Sequence, residues 1–90
     1  MRMILNKPNS LPLGELAPGA RAEIVGFSHR EGLQDFLLRL CEVGFIVGEC
    51  VEVLQRAPFG GSPMSFRVKD ATYALRKEDA DLILVSPATP

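Results

Sequence analysis

The chain is 90 residues long, 47% hydrophobic and 23% charged, with a formal net charge of −1. These values describe one small globular domain, too apolar to be disordered and too short to hold a deep catalytic cleft beside its own core. The even charge balance supplies no basic face for nucleic acid. No run approaches the roughly 20 apolar residues that span a bilayer, and the opening MRMILNKPNS is too short in its apolar part for a signal-peptide core. With only two cysteines in the chain, the expectation is a cytoplasmic protein without direct membrane insertion.

In chain order, residues 1–10 and 87–90 are rich in Pro, Ser, Asn and Thr and are expected to be flexible ends around a domain at 11–86. LPLGELAPGARAEIVGF opens that domain. Its Pro18-Gly19 is a turn signal, and Ala20 to Phe27 follows as a strand centred on Ile24 and Val25. SHREG is a polar loop. Leu33 to Val43 is the best helix, because Leu33, Phe36, Leu37 and Leu40 recur at i, i+3, i+4 and i+7 along one face. Gly44 then stands where a left-handed residue ends a helix, and Phe45 can fold back onto Leu40. Gly48-Glu49 makes a second turn into a strand at Cys50 to Ala57.

The loop Pro58-Phe59-Gly60-Gly61-Ser62-Pro63 comes next, its glycines at positive φ. Met64, Phe66 and Val68 alternate with Ser65, Arg67 and Lys69, as a half-buried strand requires. Asp70-Ala71 turns the chain into a strand at Thr72 to Leu75. A helical turn at Lys77 to Ala80 precedes a last strand at Ile83 to Val85. A mainly β fold is expected: a small, partly open β-barrel of about five strands with one α-helix between the first and second strands. Closure would relieve the edges of so small a sheet.

The candidate chemistry is thin. Cys41 and Cys50 stand nine apart, outside the usual zinc spacings, and His29 is the only histidine, so a closed four-ligand site has too few donors. Each cysteine reads as a half-buried apolar filler. Cys41 lies about 80° from the centre of the helix's apolar face, and Cys50 shares strand parity with Glu52 rather than with Val51 and Val53. His29, beside Arg30 and Glu31, is a solvated loop residue or an incidental cation ligand. APFGGSP lacks the P-loop pattern. No catalytic, cofactor-binding or metal residue is assigned, and no cofactor is expected. Two features point to a protein partner. Phe59 is an aromatic at a loop tip, flanked by Pro58 and Gly60; it either folds over the barrel end or contacts a partner. Leu38 points about 140° away from the buried helix face.

Four blocks then occur in order: L-x-x-L-x-P-G-x-x-A-x-I-x-G-F from Leu13, R-L-x-E-x-G-F-x-x-G from Arg39, V-x-V-x-x-x-A-P-F-G-G-x-P from Val51, and Y-A-L-R-K-E-D-A-x-x-I-x-V from Tyr73. Together they resemble the ferrous iron transport protein A (FeoA) family across residues 11–85. Val47 stands where the family commonly has proline, and Asp70-Ala71 where it has small turn residues. The resemblance implies an SH3-like barrel with the helix after its first strand. It also implies a non-enzymatic cytosolic accessory of bacterial ferrous iron uptake, whose partner is the iron permease with a cytosolic GTP-binding domain. No DNA-binding helix pair precedes the domain, so the stand-alone form is expected. Self-association, if any, is expected to be weak. The alternative is a metal-responsive module that binds Fe²⁺ or another divalent ion directly.

Overall fold

The computed structural model of the protein describes residues 10–28, 31–58 and 60–87. Six strands form one antiparallel sheet. They are β1 (Leu11–Pro12), β2 (Arg21–Phe27), β3 (Cys50–Arg56), β4 (Met64–Val68), β5 (Ala71–Leu75) and β6 (Ile83–Pro87). Between β2 and β3 lies α1 (Gln34–Val43), and between β5 and β6 the four-residue α2 (Lys77–Ala80). A 3-10 helix at Leu13–Glu15 follows β1.

The strand order is β1-β6-β2-β3-β4-β5. No pairing joins β1 to β5 among the described residues, so the sheet is open and the expected barrel closure is not found. The expected count of five strands becomes six, because Leu11 and Pro12 pair with Val85 and Leu84. Two residues carry no alternation a reader of the sequence could follow. The helix therefore sits after the first long strand, as expected, but second in order. Several boundaries also move by a residue or two. The α1 helix starts at Gln34, with Leu33 as its N-cap, and the β4–β5 turn falls on Lys69-Asp70 rather than Asp70-Ala71. Lys69 takes the left-handed conformation there (φ 57°). The last strand runs on to Pro87. The flexible ends expected at 1–10 and 87–90 fall mostly outside the described residues.

Alternation builds the core. Ala22 and Ile24, Val51 and Val53, Met64, Phe66 and Val68, and Ile83 and Val85 all face one side and are buried. Leu40 from α1 and Leu13 and Leu16 from the β1–β2 connection cover them, with Phe36 and Leu37 packed at the margin. The C-terminal end of α1 closes as a Schellman motif. The Phe45 N–H donates to the Leu40 carbonyl at 2.9 Å and the Gly44 N–H to the Cys41 carbonyl at 3.1 Å. Gly44 holds φ 121°, and this reversal drops Phe45 into the core. There its ring meets Phe66 edge-on at 6.4 Å and Tyr73 at 5.5 Å.

Two register shifts bend the sheet. One falls between Ile24 and Gly26 on β2, the other between Val53 and Gln55 on β3. Each adds a residue, so the parity of the strand reverses beyond it. On β3 the pairs before the shift are Val51 with Val68 and Val53 with Phe66; after it Arg56 pairs with Met64. Arg56 thus shares the core-side face with Met64, although simple alternation would put it beside Glu52. On β2 the same device brings Phe27 opposite the buried Ile83.

Candidate functional site

Arg56 shows what the reversed parity accomplishes. Its Nη1 donates to the Leu16 carbonyl at 2.8 Å and to the Gly14 carbonyl at 3.1 Å, holding the 3-10 helix against the end of β3. Above it lies Gly61, where a Cβ would stand 3.1 Å from Nε and Nη2. Gly60 and Gly61 both take positive φ (74° and 73°), as expected for this loop. The loop is closed by the Ala57 N–H donating to the Pro63 carbonyl at 3.0 Å. It is tied to α2 by the Lys77 N–H donating to Ser62 Oγ at 3.1 Å. Pro58 lines a shallow groove of about 290 Å³ with Ala57, Pro63, Met64 and Ala74. The loop is therefore fastened at Ala57 and Ser62, with Pro58 and Gly60 exposed. Phe59 lies outside the described residues.

Leu38 is 61% exposed, as its place on the helical wheel requires. It lies on α1, whereas Pro58 and Gly60 lie in the loop that follows β3. Three further large aliphatic side chains are exposed after it in the chain. Val43, Ile46 and Val47 are 42%, 36% and 61% exposed, all within the last turn of α1 and the connection that follows. Sequence reasoning missed these three. The available signal was the run Phe45-Ile46-Val47 in a turn, of which the Schellman geometry can bury only the first. The turn is real: the Glu49 N–H donates to the Ile46 carbonyl at 3.0 Å, and the Gly48 N–H to Ile24 on β2 at 2.8 Å.

The other face of the sheet carries charge that is already matched. Arg67 lies 3.7 Å from Glu52, its cross-strand neighbour, and Lys69 lies 3.4 Å from Glu49. With Arg21 and Cys50 they border a shallow depression of about 260 Å³. Exposed pairs of this kind add at most about 1 kcal/mol each. Cys41 is half-buried and Cys50 is exposed, both as free thiols. Cys50 is thus less buried than the filler role expected of it, because it precedes the first core-facing residue of β3. Among the described residues no three of His, Cys, Asp or Glu converge to hold a metal ion; His29 lies outside them. No helix among the described residues is long and apolar enough to cross a membrane.

Comparison with known proteins gives the chain's family. The FeoA domain model matches residues 11–87. A Porphyromonas gingivalis Fe(2+) transport protein A/Fe(2+) transporter FeoB fusion protein is 40% identical over 73 residues, which is 81% of this chain and 8% of that protein. The chain therefore spans less than a tenth of that relative. The iron(II) transport protein A of Clostridium thermocellum superposes with a TM-score of 0.73 at 34% identity, covering 86% of this chain and 45% of that one. FeoA of Stenotrophomonas maltophilia, described as an SH3 domain protein and solved in complex with zinc, gives a TM-score of 0.73 at 30% identity over 82% of this chain and 87% of that one. The fold is SH3-like, and the chain belongs to the FeoA domain family, which is linked to ferrous iron transport.

Proposed function

We propose that this protein is a cytoplasmic, non-catalytic accessory of bacterial ferrous iron uptake, which binds the cytosolic part of the GTP-binding iron permease and modulates transport. The observation that carries this reading is the relative in which a matching domain and the FeoB transporter are one polypeptide. Fusion holds two domains at an effective concentration of about millimolar, which is useful only if they act on one another. Affinity beyond what such a tether supplies must come from the surface of the domain.

The surface at the C-terminal end of α1 suits that task. Leu38, Val43, Ile46 and Val47 expose large aliphatic side chains, and each such group contributes about 1.5–3 kcal/mol when a partner buries it fully. Pro58, Phe59 and Gly60 are a second contact. Direct binding of a divalent ion is the weaker reading, since no donor set converges among the described residues.

Titration of the protein against the isolated cytosolic domain of the permease tests the proposal, with and without nucleotide. Leu38→Ser/Val47→Ser is expected to weaken binding at least tenfold while leaving the thermal midpoint of unfolding unchanged, because both residues are 61% exposed. Absence of binding by the wild type at low and moderate salt refutes the function. Binding that is indifferent to the double variant refutes the surface.

A further inference from the structure

Among the described residues the open strand order leaves two edges, β1 and β5. Natural sheets guard their edges with short strands, proline, bulges or inward charge. β1 has such protection: it is two residues long and contains Pro12. β5 has none. Its sequence, Ala71-Thr72-Tyr73-Ala74-Leu75, holds no charge and no proline, and its ladder with β4 runs in unbroken register through all five residues. Among the described residues β4 is its only strand neighbour.

What flanks β5 selects the occupant. Asp70 stands three residues before Tyr73 and Arg76 three residues after it. In an antiparallel pairing of two identical strands centred on Tyr73, residue 73+k of one copy faces 73−k of the other. Asp70, the turn residue just before the strand, then comes beside Arg76 of the second copy, and the two-fold repeats that contact. Thr72 faces Ala74, and the small Ala71 faces the larger Leu75. A parallel in-register pairing would instead set Asp70 against Asp70 and Arg76 against Arg76. Arg76 remains extended (φ −66°, ψ 152°), so it prolongs the line of the strand. Its side chain is 73% exposed and only 3.7 Å from Asp79, a surface pair that is easily exchanged. The axis passes beside Tyr73, whose hydroxyl donates to the Val43 carbonyl at 2.9 Å.

We propose that β5 is a self-association edge, through which two copies of this chain pair antiparallel about a two-fold axis at Tyr73, with Asp70 of each facing Arg76 of the other. The inference is independent of the permease reading. Five residues per strand make a small interface, so the dimer is weak, with a dissociation constant between about 1 µM and 1 mM.

Sedimentation of the protein alone, from about 10 µM to 1 mM, is expected to show a concentration-dependent monomer–dimer equilibrium across this range. Amide resonances of Thr72 and Ala74 are expected to shift with it. Asp70→Arg and Arg76→Asp each place like charges at both contacts and are expected to weaken the dimer about tenfold or more. An equimolar mixture of the two variants restores opposite charges at both contacts and is expected to recover association near the wild-type level. Circular dichroism confirms that each variant is folded. A wild type that stays monomeric throughout, reversals without effect, or a mixture that fails to associate overturns the proposal. So do β5 shifts that arise only when a different chain is added, which would give that edge to another partner.

Discussion

Replacing Gly14 with alanine is expected to destabilise the fold by about 2 kcal/mol, within the range of about 1–3 kcal/mol seen for overpacking. The reason is contact, not backbone conformation: Gly14 has no positive φ, yet it is buried within the 3-10 helix where that helix meets α2. A Cβ there would overlap Asp81 Oδ1 and stand 3.0 Å from Asp81 Cγ and 3.1 Å from the Lys77 carbonyl. Lys77 Nζ anchors the carboxylate through Oδ2 at 3.0 Å, so the side chain does not swing away freely. A domain of this size loses about 4–8 °C in midpoint per kcal/mol, so the drop is about 8–16 °C. The assay is a double-mutant cycle by thermal and urea unfolding. Asp81→Ala alone is expected to lie within about 1 kcal/mol of wild type, because it removes both a surface ion pair and a buried oxygen without a hydrogen-bond partner. In that background Gly14→Ala no longer meets the carboxylate, keeps its contact with the Lys77 carbonyl, and is expected to cost about 1 kcal/mol less. A cost below about 0.5 kcal/mol in the wild type, or the same cost in both backgrounds, refutes the reasoning.

Arg56→Met keeps the aliphatic stem but removes the donor to the Gly14 and Leu16 carbonyls; a loss of about 1–3 kcal/mol is expected by urea unfolding, with faster amide exchange at Glu15 and Leu16. Arg56→Lys is expected to recover only part of it, since one ammonium does not reproduce a planar fork across two carbonyls. Phe45→Ala empties a fully buried site between Phe66 and Tyr73 and is expected to cost about 3–5 kcal/mol, enough to unfold a domain of marginal stability at 37 °C. Phe45→Leu, by contrast, is expected to stay folded with a lower midpoint.

Much of this was legible from local pattern. The period-2 alternation of Met64, Phe66 and Val68 marked β4, and the i, i+3, i+4, i+7 spacing of Leu33, Phe36, Leu37 and Leu40 marked the helix and its buried face. Gly44-Phe45 marked the Schellman end, whose two hydrogen bonds span only five residues. Leu38 was readable as exposed for the same reason. Local signals failed where the partner is remote. Leu11–Pro12 is a strand only because β6 pairs with it, and Gly14 must be glycine only because Asp81 lies against it. The exposed aliphatics Val43, Ile46 and Val47 were hidden in an apolar run that reads as core.

The amino-acid sequence by itself determined the elements, their order, the core side of each strand up to its first irregularity, and membership of the FeoA family. The tertiary structure alone decided the side on which residues beyond an irregularity fall. One extra residue between Val53 and Gln55 reverses the parity of β3, because side chains alternate with a period of two. A charged residue read from the sequence as a surface neighbour of Glu52 is thereby turned to the core side, where Arg56 clasps the carbonyls of Gly14 and Leu16. Whether a sheet absorbs such a residue is settled by the strand beside it, and that strand's register is not written in the local sequence.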